Sequence, residues 1–551
     1  MTYSTIKTDA LIIGSGLAGL MAAKQLYEKT DASITMLGDG WGASPFVHGF
    51  NMPLHPDDSV EIFKEDTYRS GKYQSIPELA DMLCEGSATV KDELLELGIN
   101  FDRAPDGSYK LLRPLGASVA RVASVGNHTG IAIMKKVRSI LEADSSRFSL
   151  KRLRALRLFS ENGTVYGALA YDKKSGEFVL IESKLTVICT GGFCNIYPFS
   201  TNKSDIGGDG VAMSYYAGAS LTDLEFVQFE PSAAVAPKKL RGQSVITTMY
   251  YEGAVCKNTL GERFMLRHSD RGECVDKDVQ SKLIYREIQE GRATENGGVF
   301  FDATGVGREK LNEMYSSYVK RYQNVGIDIA TTPFEIAPAP HTSLGGVVVD
   351  KCCNTEIGGL FACGEVIGGL HGANRAGGNA GLETLVFGTV AGKSAAEFYE
   401  SYNHQDFVPS KLHCDNFVSS VIGRITDTAL CMDDIASIRA RLGDILQRKL
   451  SVLRCGADLE SAKAELCEML SQIAKYNTDM ASAEDVFALI RLENDVTTAY
   501  LLALSCLERD MSIGCHVRSD CPEAEANDAD KYRVNIRYGK RGAAVKRIPL
   551  K

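Results

Sequence analysis

The 15 cysteines of this 551-residue sequence include no pair with CxxC spacing and no CxxCH site. The chain therefore carries neither a haem-attachment motif nor a cysteine set for an iron–sulfur cluster. Cys352 and Cys353 are adjacent, which suits neither a cluster nor an ordinary disulfide. Reduced cytosolic thiols explain these cysteines best, and no metal site is predicted.

The sequence also lacks the features that would direct it to secretion, a bilayer or a nucleic acid. Its first residues, MTYSTIKTDALIIGSG, do not follow the charged-then-apolar pattern of a signal peptide, and no run of about 18 apolar residues could span a membrane. A net charge of −9 gives no overall positive field for nucleic acid. We expect a cytoplasmic protein that reaches a membrane face only through a partner subunit. The basic C-terminus, YGKRGAAVKRIPLK, is expected to be a solvated or docking tail.

What the sequence does contain is a set of apolar strands that run into glycine turns. DALIIGSGLAGLMAAKQLYEK predicts a buried strand, a glycine turn and a helix, and ASITML predicts the second strand of a βαβ unit. LTVICTGG and GGLFACGEV repeat the strand-to-glycine pattern. These segments are spread from residue 9 to residue 366. One nucleotide-binding domain with an insertion explains that spread.

The length and the change of pattern along the chain predict the domain organisation. Residues 1–232 and 342–408 are assigned to the nucleotide-binding domain, and 233–341, with mixed strands and a charged helix, to an inserted domain. Residues 409–551 are assigned to a helical domain and tail, because apolar residues there recur at spacings of three and four.

The first glycine turn has the spacing of a dinucleotide fingerprint. Gly14, Gly16 and Gly19 form G-x-G-x-x-G between a strand and a helix. The first glycine permits the tight turn, the second lets a pyrophosphate approach the backbone, and the third lets the helix pack closely on the strand. The helix N-terminus then faces the phosphates. Asp39 is the acid nearest to the position expected for a ribose ligand, although it stands one place late.

Six further motifs give the chain a family resemblance. They are, in order, ICTGGF, GGDGVAMSYYAGASLTDLEFVQFEPS, GERFM, PHTSLGGVVVD, LFACGEVIGGLHGANRAGGNAGLETLVFGTVAG and LERDMSIGCHVRSDCP. Together they resemble the flavoprotein subunits of fumarate reductase and succinate dehydrogenase, and L-aspartate oxidase. The resemblance covers nearly the whole chain and implies an α/β fold: a Rossmann-like FAD-binding domain, an inserted α+β capping domain and a C-terminal helical domain.

The resemblance implies FAD as the bound cofactor. Its contacts, carried over by motif, are Gly14, Ser15, Gly16, Ala18, Gly19, Asp209, Glu365, Ala380 and Gly381. Many complex-type relatives attach FAD through a histidine, and Gly42 occupies that position here. Non-covalent FAD is therefore expected, while His48, which is out of register, is expected to be structural.

The resemblance also implies a carboxylate site beside the flavin. Arg375 matches the arginine that grips the substrate carboxylate, and a guanidinium fork suits such a planar anion. His341 matches a second substrate ligand, and His371 is expected to help close the site.

Two positions depart from the family pattern. Glu230 stands where the family has the histidine of QFHP, and Lys277 stands where it has a proton-transferring arginine. A lysine can also act as a general acid. Three roles are open to Glu230: repelling a second substrate carboxylate, pairing with Lys277, or accepting a hydrogen bond from a substrate ammonium or hydroxyl. The acidic TE pair of fumarate reductases is not evident in ITTMYYEG.

The sequence therefore favours a flavin oxidoreductase that acts on a C–C bond next to a carboxylate, by enoate reduction or its reverse, with a substrate altered from fumarate or succinate. The nearest alternative is an amino-acid oxidase similar to L-aspartate oxidase. A third is an electron-transfer or RNA-modifying flavoprotein. Since the chain has no iron–sulfur cysteines, electrons must come from a quinone, a soluble donor, oxygen, or an iron–sulfur or other electron-transfer subunit.

Overall fold

The computed structural model describes residues 2–114, 116–126, 128–402, 409–423, 428–429, 431–479, 481–524, 531–539 and 542–550. The domain boundary expected between residues 408 and 409 borders a segment outside these ranges. The helices are α1 (Leu17–Lys29), α2 (Val60–Ser70), α3 (Pro77–Glu96), α4 (Thr129–Glu142), α5 (Asp209–Tyr216), α6 (Lys277–Gln289), α7 (Arg308–Met314), α8 (Ser316–Gln323), α9 (Asn379–Ser401), α10 (Lys411–Ile422), α11 (Met432–Lys449), α12 (Gly456–Ile473) and α13 (Ala483–Glu508).

The strands are β1 (Tyr3–Ile13), β2 (Ile34–Leu37), β3 (Gly49–Asn51), β4 (Leu111–Leu112), β5 (Val122–Ser124), β6 (Phe148–Lys151), β7 (Arg154–Glu161), β8 (Thr164–Asp172), β9 (Glu177–Ile188), β10 (Leu221–Thr222), β11 (Val227–Ala234), β12 (Val255–Lys257), β13 (Val299–Asp302), β14 (Phe334–Ser343), β15 (Gly346–Val347), β16 (Leu360–Ala362), β17 (Thr428–Ala429), β18 (Leu453–Arg454), β19 (Tyr476–Asn477), β20 (Val517–Arg518), β21 (Tyr532–Gly539) and β22 (Gly542–Pro549).

The main sheet has the strand order β6-β2-β1-β9-β8-β7, and β16 pairs with the C-terminal part of β9. The strands β6, β2, β1, β9 and β16 are parallel, so their carboxyl ends meet at one edge of the sheet. The predicted strand-to-glycine segments therefore share a single sheet, and the α/β fold class is confirmed. Helices α1 and α9 bury their apolar residues side by side within the core of this sheet.

A second, antiparallel sheet has the order β11-β14-β13-β12. With α6, α7 and α8 it encloses its own hydrophobic cluster, in which Phe301, Tyr322 and Phe334 are buried. The ring centroids of Phe301 and Phe334 lie 5.0 Å apart. This cluster lies between residues 234 and 336, so the segment has an apolar core separate from that of the main sheet.

The C-terminal residues do not form the expected tail. Strands β21 and β22 pair along their full length as a hairpin, and β21 also pairs with β10. In β21 every second side chain is buried, namely Tyr532, Val534 and Ile536, while most of the side chains of β22 are exposed or only partly buried. Arg533 and Arg537 of β21 alternate with its buried side chains, and Lys546 and Arg547 of β22 are exposed. Over the described ranges, no helix has the length and apolar content needed to cross a bilayer.

Candidate active site

A cleft opens at the carboxyl edge of the main sheet, as expected for a doubly wound α/β sheet. Its empty space amounts to about 1080 Å³, including the part open to solvent. Helices α1, α5 and α9 each begin beside it, behind Gly16, Gly208 and Gly378, and none of these three N-caps forms a side-chain hydrogen bond. Free N–H groups at helix N-termini attract negative charge, so the cleft suits a phosphorylated cofactor.

The first glycine turn makes room for that cofactor. Gly14 has φ +122°, and a Cβ on it would lie 2.1 Å from the carbonyl oxygen of Cys189. A Cβ on Gly16 would lie 2.8 Å from Oγ of Ser44, the hydroxyl that accepts from the backbone N–H of Leu17 at 2.9 Å. Side chains at these two positions would push the turn away from the sheet, so the backbone is the surface a diphosphate would meet.

Most of the sequence-predicted cofactor residues line this cleft. They are Gly14, Ser15, Gly16, Ala18, Asp39, Asp209, Glu365 and Ala380. Gly19 and Gly381 stand behind the cleft wall instead. A Cβ on Gly19 would lie 2.2 Å from the carbonyl oxygen of Gly14, and one on Gly381 would lie 2.7 Å from the Phe50 ring. These two glycines permit close helix packing.

Two acids at one end of the cleft are already paired within the chain. Asp39 Oδ2 lies 2.5 Å from Lys173 Nζ. Asp209 receives hydrogen bonds from Arg154 and, at 2.8 Å, from Asn494 Nδ2. Burial raises the pKa of Asp209, but Arg154 outweighs it and holds that pKa below its ordinary value. Asp209 therefore anchors the start of α5 at the cleft.

Glu365 lies where the cleft meets β14. Its Oε1 accepts from the backbone N–H of Ser343 at 3.0 Å. Burial raises the pKa of this carboxyl to about 7, and Glu383 adds to that effect. Up to neutral pH the group is therefore able to donate as well as accept a hydrogen bond, which suits a ribityl hydroxyl.

Arg375 lies between β16 and α9, in the loop that leads to the cleft. Its side chain is buried, and burial lowers its pKa. Among the described residues its Nη1 donates to the carbonyl oxygen of Ala376 at 3.2 Å, and its Nε has no hydrogen-bond partner. The amide of Gln228 fixes the loop by donating to the Arg375 carbonyl oxygen at 3.0 Å. A buried guanidinium with unused donors has the chemistry to bind an anion.

His341 is the extra residue of a β-bulge. Strand β14 pairs Thr342 with Gln228 and Pro340 with Phe229, which leaves His341 between them. A bulge re-aims one side chain out of the regular alternation. The His341 Nδ1 lies 2.7 Å from the hydroxyl oxygen of Thr201. Burial lowers the pKa of this imidazole to about 3, so the ring is neutral at physiological pH.

The two departures from the family pattern form a pair. Lys277 Nζ lies 2.5 Å from Glu230 Oε2, and Glu230 is almost completely buried. Lys277 is the first residue of α6, and Ser281, one turn later, donates to the Phe229 carbonyl oxygen at 3.1 Å. Burial raises the pKa of Glu230, but Lys277 outweighs it and lowers that pKa below its ordinary value. The charges of Glu230, Lys277 and Arg375 all affect the pKa of His341, so these groups lie near it.

His371 is paired with a carboxylate of α9. Its Nε2 lies 3.0 Å from Glu383 Oε2 on α9, and both side chains are buried. The pair joins the Arg375 loop to the helix whose N-terminus faces the cleft. The expectation that His371 helps close the site stays a prediction.

Sequence reasoning missed the groups that hold these side chains. Thr201 orients His341, and Gln228 holds the backbone of Arg375. Lys72 approaches the residues on either side of Lys277. Thr201 and Lys72 lie outside the quoted motifs, and Gln228 lies within one but was given no role. No local sequence pattern indicates the contacts of these polar residues.

We expect carboxylate binding to show no transition near pH 6.5, because His341 stays neutral down to about pH 3. The test is a titration of the purified flavoprotein with a saturated carboxylate, followed by flavin absorbance at pH values between 5 and 8. The dissociation constant should stay constant within about twofold up to pH 6.5, and any weakening above it, where Glu365 ionises near pH 7, should be equal in His341→Asn. A tenfold loss through pH 6.5 that His341→Asn does not show would mean that His341 binds as an imidazolium, contrary to this expectation.

The fold and the cleft define the class of protein, an oxidoreductase that uses a dinucleotide cofactor. Residues 9–380 match the FAD binding domain family, and residues 439–547 match the fumarate reductase flavoprotein C-terminal family. The residues around the cleft fit FAD, since three helix N-termini with glycine N-caps and a bare glycine turn meet there.

Individual relatives agree with these matches. The chain is 34% identical to a fumarate reductase (CoM/CoB) subunit of Methanothermobacter marburgensis over 537 residues, which cover 95% of this chain and 96% of that protein. It is 28% identical to L-aspartate oxidase of Pseudomonas aeruginosa over 551 residues, covering 96% and 98%.

Solved structures show the same architecture. Sdh1 of Mycobacterium smegmatis is 26% identical with a TM-score of 0.87 over 100% of this chain and 95% of that one. E. coli quinol fumarate reductase FrdA is 24% identical with a TM-score of 0.89 over 100% and 97%, and it supports the fold alone. The chain belongs to the fumarate reductase and succinate dehydrogenase flavoprotein family, which includes L-aspartate oxidase, and it is an FAD-dependent oxidoreductase.

Proposed function

We propose that this protein reduces the carbon–carbon double bond of a small α,β-unsaturated carboxylate. The observation that carries the proposal is Arg375, a buried cation whose Nε has no partner among the described residues. His341 lies near Arg375 and the Lys277–Glu230 pair, whose charges all affect the pKa of its imidazole. A carboxylate held by the guanidinium fork would satisfy the unused donors, and such charge-assisted bonds are strong when water is excluded.

In this mechanism FAD, when bound and reduced by the electron donor, would supply a hydride from its N5 to the β-carbon of the substrate. Arg375 polarises the carboxylate and stabilises the negative charge that develops toward it. His341 uses Nδ1 toward Thr201, which leaves Nε2 for the substrate. Lys277 donates a proton from Nζ to the α-carbon and takes a new proton from solvent. Residues 233–341 would act as the cap that carries Lys277 and excludes water.

Glu230 holds the proposed proton donor in place, because its Oε2 lies 2.5 Å from Lys277 Nζ. The pair is electrically neutral, so it does not exclude a substrate with a second carboxylate. Fumarate is the first substrate to test, because a relative 34% identical is named a fumarate reductase subunit.

The alternative is oxidation of an amino acid, which the relatives named L-aspartate oxidase support. It would need a group to meet the substrate ammonium, and Glu230 is the candidate. The carboxylate of Glu230 is already engaged by Lys277 and by the hydroxyl of Ser232 at 3.2 Å. Reduction of an enoate requires no change in these contacts, so we favour it.

The experiment that tests the proposal is an anaerobic assay with dithionite-reduced viologen as electron donor. Fumarate and monocarboxylic enoates are offered separately, and dye oxidation is matched to the saturated product by NMR. Turnover of any of these acids supports the proposal. If none is reduced, and L-aspartate in air instead yields peroxide and an imino acid, the oxidase alternative replaces it.

We further propose that the electrons arrive from a partner subunit or carrier. The chain has no cysteine set for a cluster of its own, and the relative from Methanothermobacter marburgensis is named as one subunit of its enzyme. An iron–sulfur subunit would fit this role. Co-purification of the native complex, followed by iron analysis, would identify it.

We expect FAD to be held without a covalent bond, because Gly42 lines the cleft at the position that carries the attaching histidine in many relatives. Denaturation of the purified yellow protein in acid should release the flavin into the supernatant. Yellow colour or fluorescence that stays with the precipitated chain on a denaturing gel would show a covalent link. Gly42 cannot provide one, so the modified residue would then be found by peptide mass analysis.

A further inference from the structure

The end of α2 places a lysine where helices usually have glycine. Lys72 and Tyr73 have φ values of 55° and 56°, in the left-handed region. The N–H of Tyr73 donates to the Tyr68 carbonyl oxygen at 2.9 Å, and that of Lys72 to Arg69 at 3.1 Å. This is a helix-terminating turn whose left-handed position favours glycine. A lysine in this backbone conformation costs free energy, so its side chain is expected to make contacts that compensate.

The side chain of Lys72 contacts both neighbours of Lys277. Its Nζ lies 3.1 Å from Asp276 Oδ2 and 3.6 Å from Asp278 Oδ2. Asp276 precedes the first residue of α6, where an aspartate normally accepts from the helix N–H groups, but its side chain makes no such bond. Among the described residues, the other oxygen of Asp278 is buried without a partner. The start of α6 is thus tied to Lys72 rather than capped.

The same turn is tied to the loop of Arg375. The carbonyl oxygen of Gly71, next to Lys72, accepts from the N–H of Ala373 at 2.9 Å. The Ala373 carbonyl oxygen accepts in turn from the N–H of Cys515 at 2.8 Å. Arg375 is two residues further along. Lys72 therefore connects the backbone that carries the carboxylate receptor with the helix that carries the proton donor.

We propose that Lys72 is a positioning residue for the proposed reduction, and that its ion pairs with Asp276 and Asp278 fix the distance between Lys277 and Arg375. This inference rests on the proposed function. The carboxylate and the carbon to be protonated belong to one small substrate, so the two protein groups must be held at a matching separation. A misplacement of about 1 Å in such a site can lower the rate roughly 100-fold.

The test compares Lys72→Met with Lys72→Arg in the FAD-loaded protein. We expect Lys72→Met to lower kcat between about 10-fold and 100-fold, since a shift of less than 1 Å has a smaller effect. The dissociation constant of a saturated carboxylate, measured by flavin absorbance, should change less than about twofold because Arg375 is untouched. Lys72→Arg keeps a cation of similar reach and should recover most of kcat. In the double variant Lys72→Met/Lys277→Met, the residual kcat should equal that of Lys277→Met.

A readout independent of activity is hydrogen exchange of the backbone. In Lys72→Met, exchange should accelerate at the first turn of α6 and stay unchanged in β13. The matched control is Lys257→Met, which removes another ion pair of the same segment, between Lys257 Nζ and Asp302 Oδ2 at 2.8 Å. It should change neither kcat nor exchange in α6.

If Lys277→Met is inactive but Lys72→Met keeps full turnover, this inference is overturned. A loss that Lys72→Arg does not restore and that comes with weaker carboxylate binding would also overturn it, since that is a general structural defect. Full turnover in Lys277→Met would overturn the proposed role of Lys277, and the positioning of that residue with it. The two failures are distinguished by which single variant keeps its activity.

Discussion

We expect Lys277→Met to reduce kcat for enoate reduction about a thousandfold while the flavin absorbance spectrum stays that of the unaltered protein. Methionine has nearly the length of lysine but no proton to give. The substrate carboxylate should still bind, because Arg375 and His341 are unchanged. The measurement is viologen oxidation under anaerobic conditions, with the dissociation constant taken from a parallel spectral titration.

A double variant separates the role of Lys277 as proton donor from its role in the ion pair with Glu230. Lys277→Met leaves Glu230 buried without a cation, which we expect to lower the free energy of unfolding by about 3 kcal/mol. Adding Glu230→Gln to Lys277→Met should recover much of that stability and none of the turnover. Lys282→Met is the control on the same helix, since it removes only the 2.8 Å ion pair with Glu523. Retained turnover in Lys277→Met would assign the proton to another group.

The second large effect is expected at Arg375. Replacing it with lysine keeps a positive charge but removes the planar fork, so one of two charge-assisted hydrogen bonds to the carboxylate is lost. One such bond contributes about 1.5–3 kcal/mol, and we expect carboxylate affinity to fall roughly 10- to 100-fold. Arg375→Met removes both bonds and should abolish measurable saturation. Flavin absorbance titration with a saturated carboxylate gives the values directly.

The control for Arg375 is a second buried arginine, Arg157. Arg157 lies 2.7 Å from Glu493 through its Nη2, at the contact between β7 and α13. Arg157→Lys should leave carboxylate affinity and kcat within about twofold. If Arg375→Lys binds the carboxylate as tightly as the unaltered protein does, the guanidinium is not the receptor, and the proposed function loses its main support.

Much of the cofactor cleft was predictable from the sequence because its determinants are local. A strand that ends in glycine and continues as a helix encodes its turn in consecutive residues, as around Gly14 and Gly16. The parallel sheet then brings all such turns to one edge. The family resemblance was predictable for a different reason, since the motif around Arg375 is long and specific.

The contacts around Lys277 were much less predictable. Its pairing with Glu230 was one of three roles open from the sequence, and the choice depended on how a helix and a strand 47 residues apart are packed. The contacts of Lys72 were not predicted, since nothing in the sequence GKY indicates a lysine with a left-handed backbone whose side chain reaches the start of α6. The C-terminal hairpin was not predicted, because the basic residues were assigned to a tail although YRVNIRYG alternates apolar and polar side chains.

The sequence alone determined which elements form and that the chain binds FAD, because glycine turns, apolar strands and helix starts depend on neighbouring residues. The tertiary structure alone decided the ion pairs of Glu230, Lys277 and Lys72, because their charges act over a few ångströms between segments far apart in the chain. Only packing places the proposed proton donor beside its carboxylate partner.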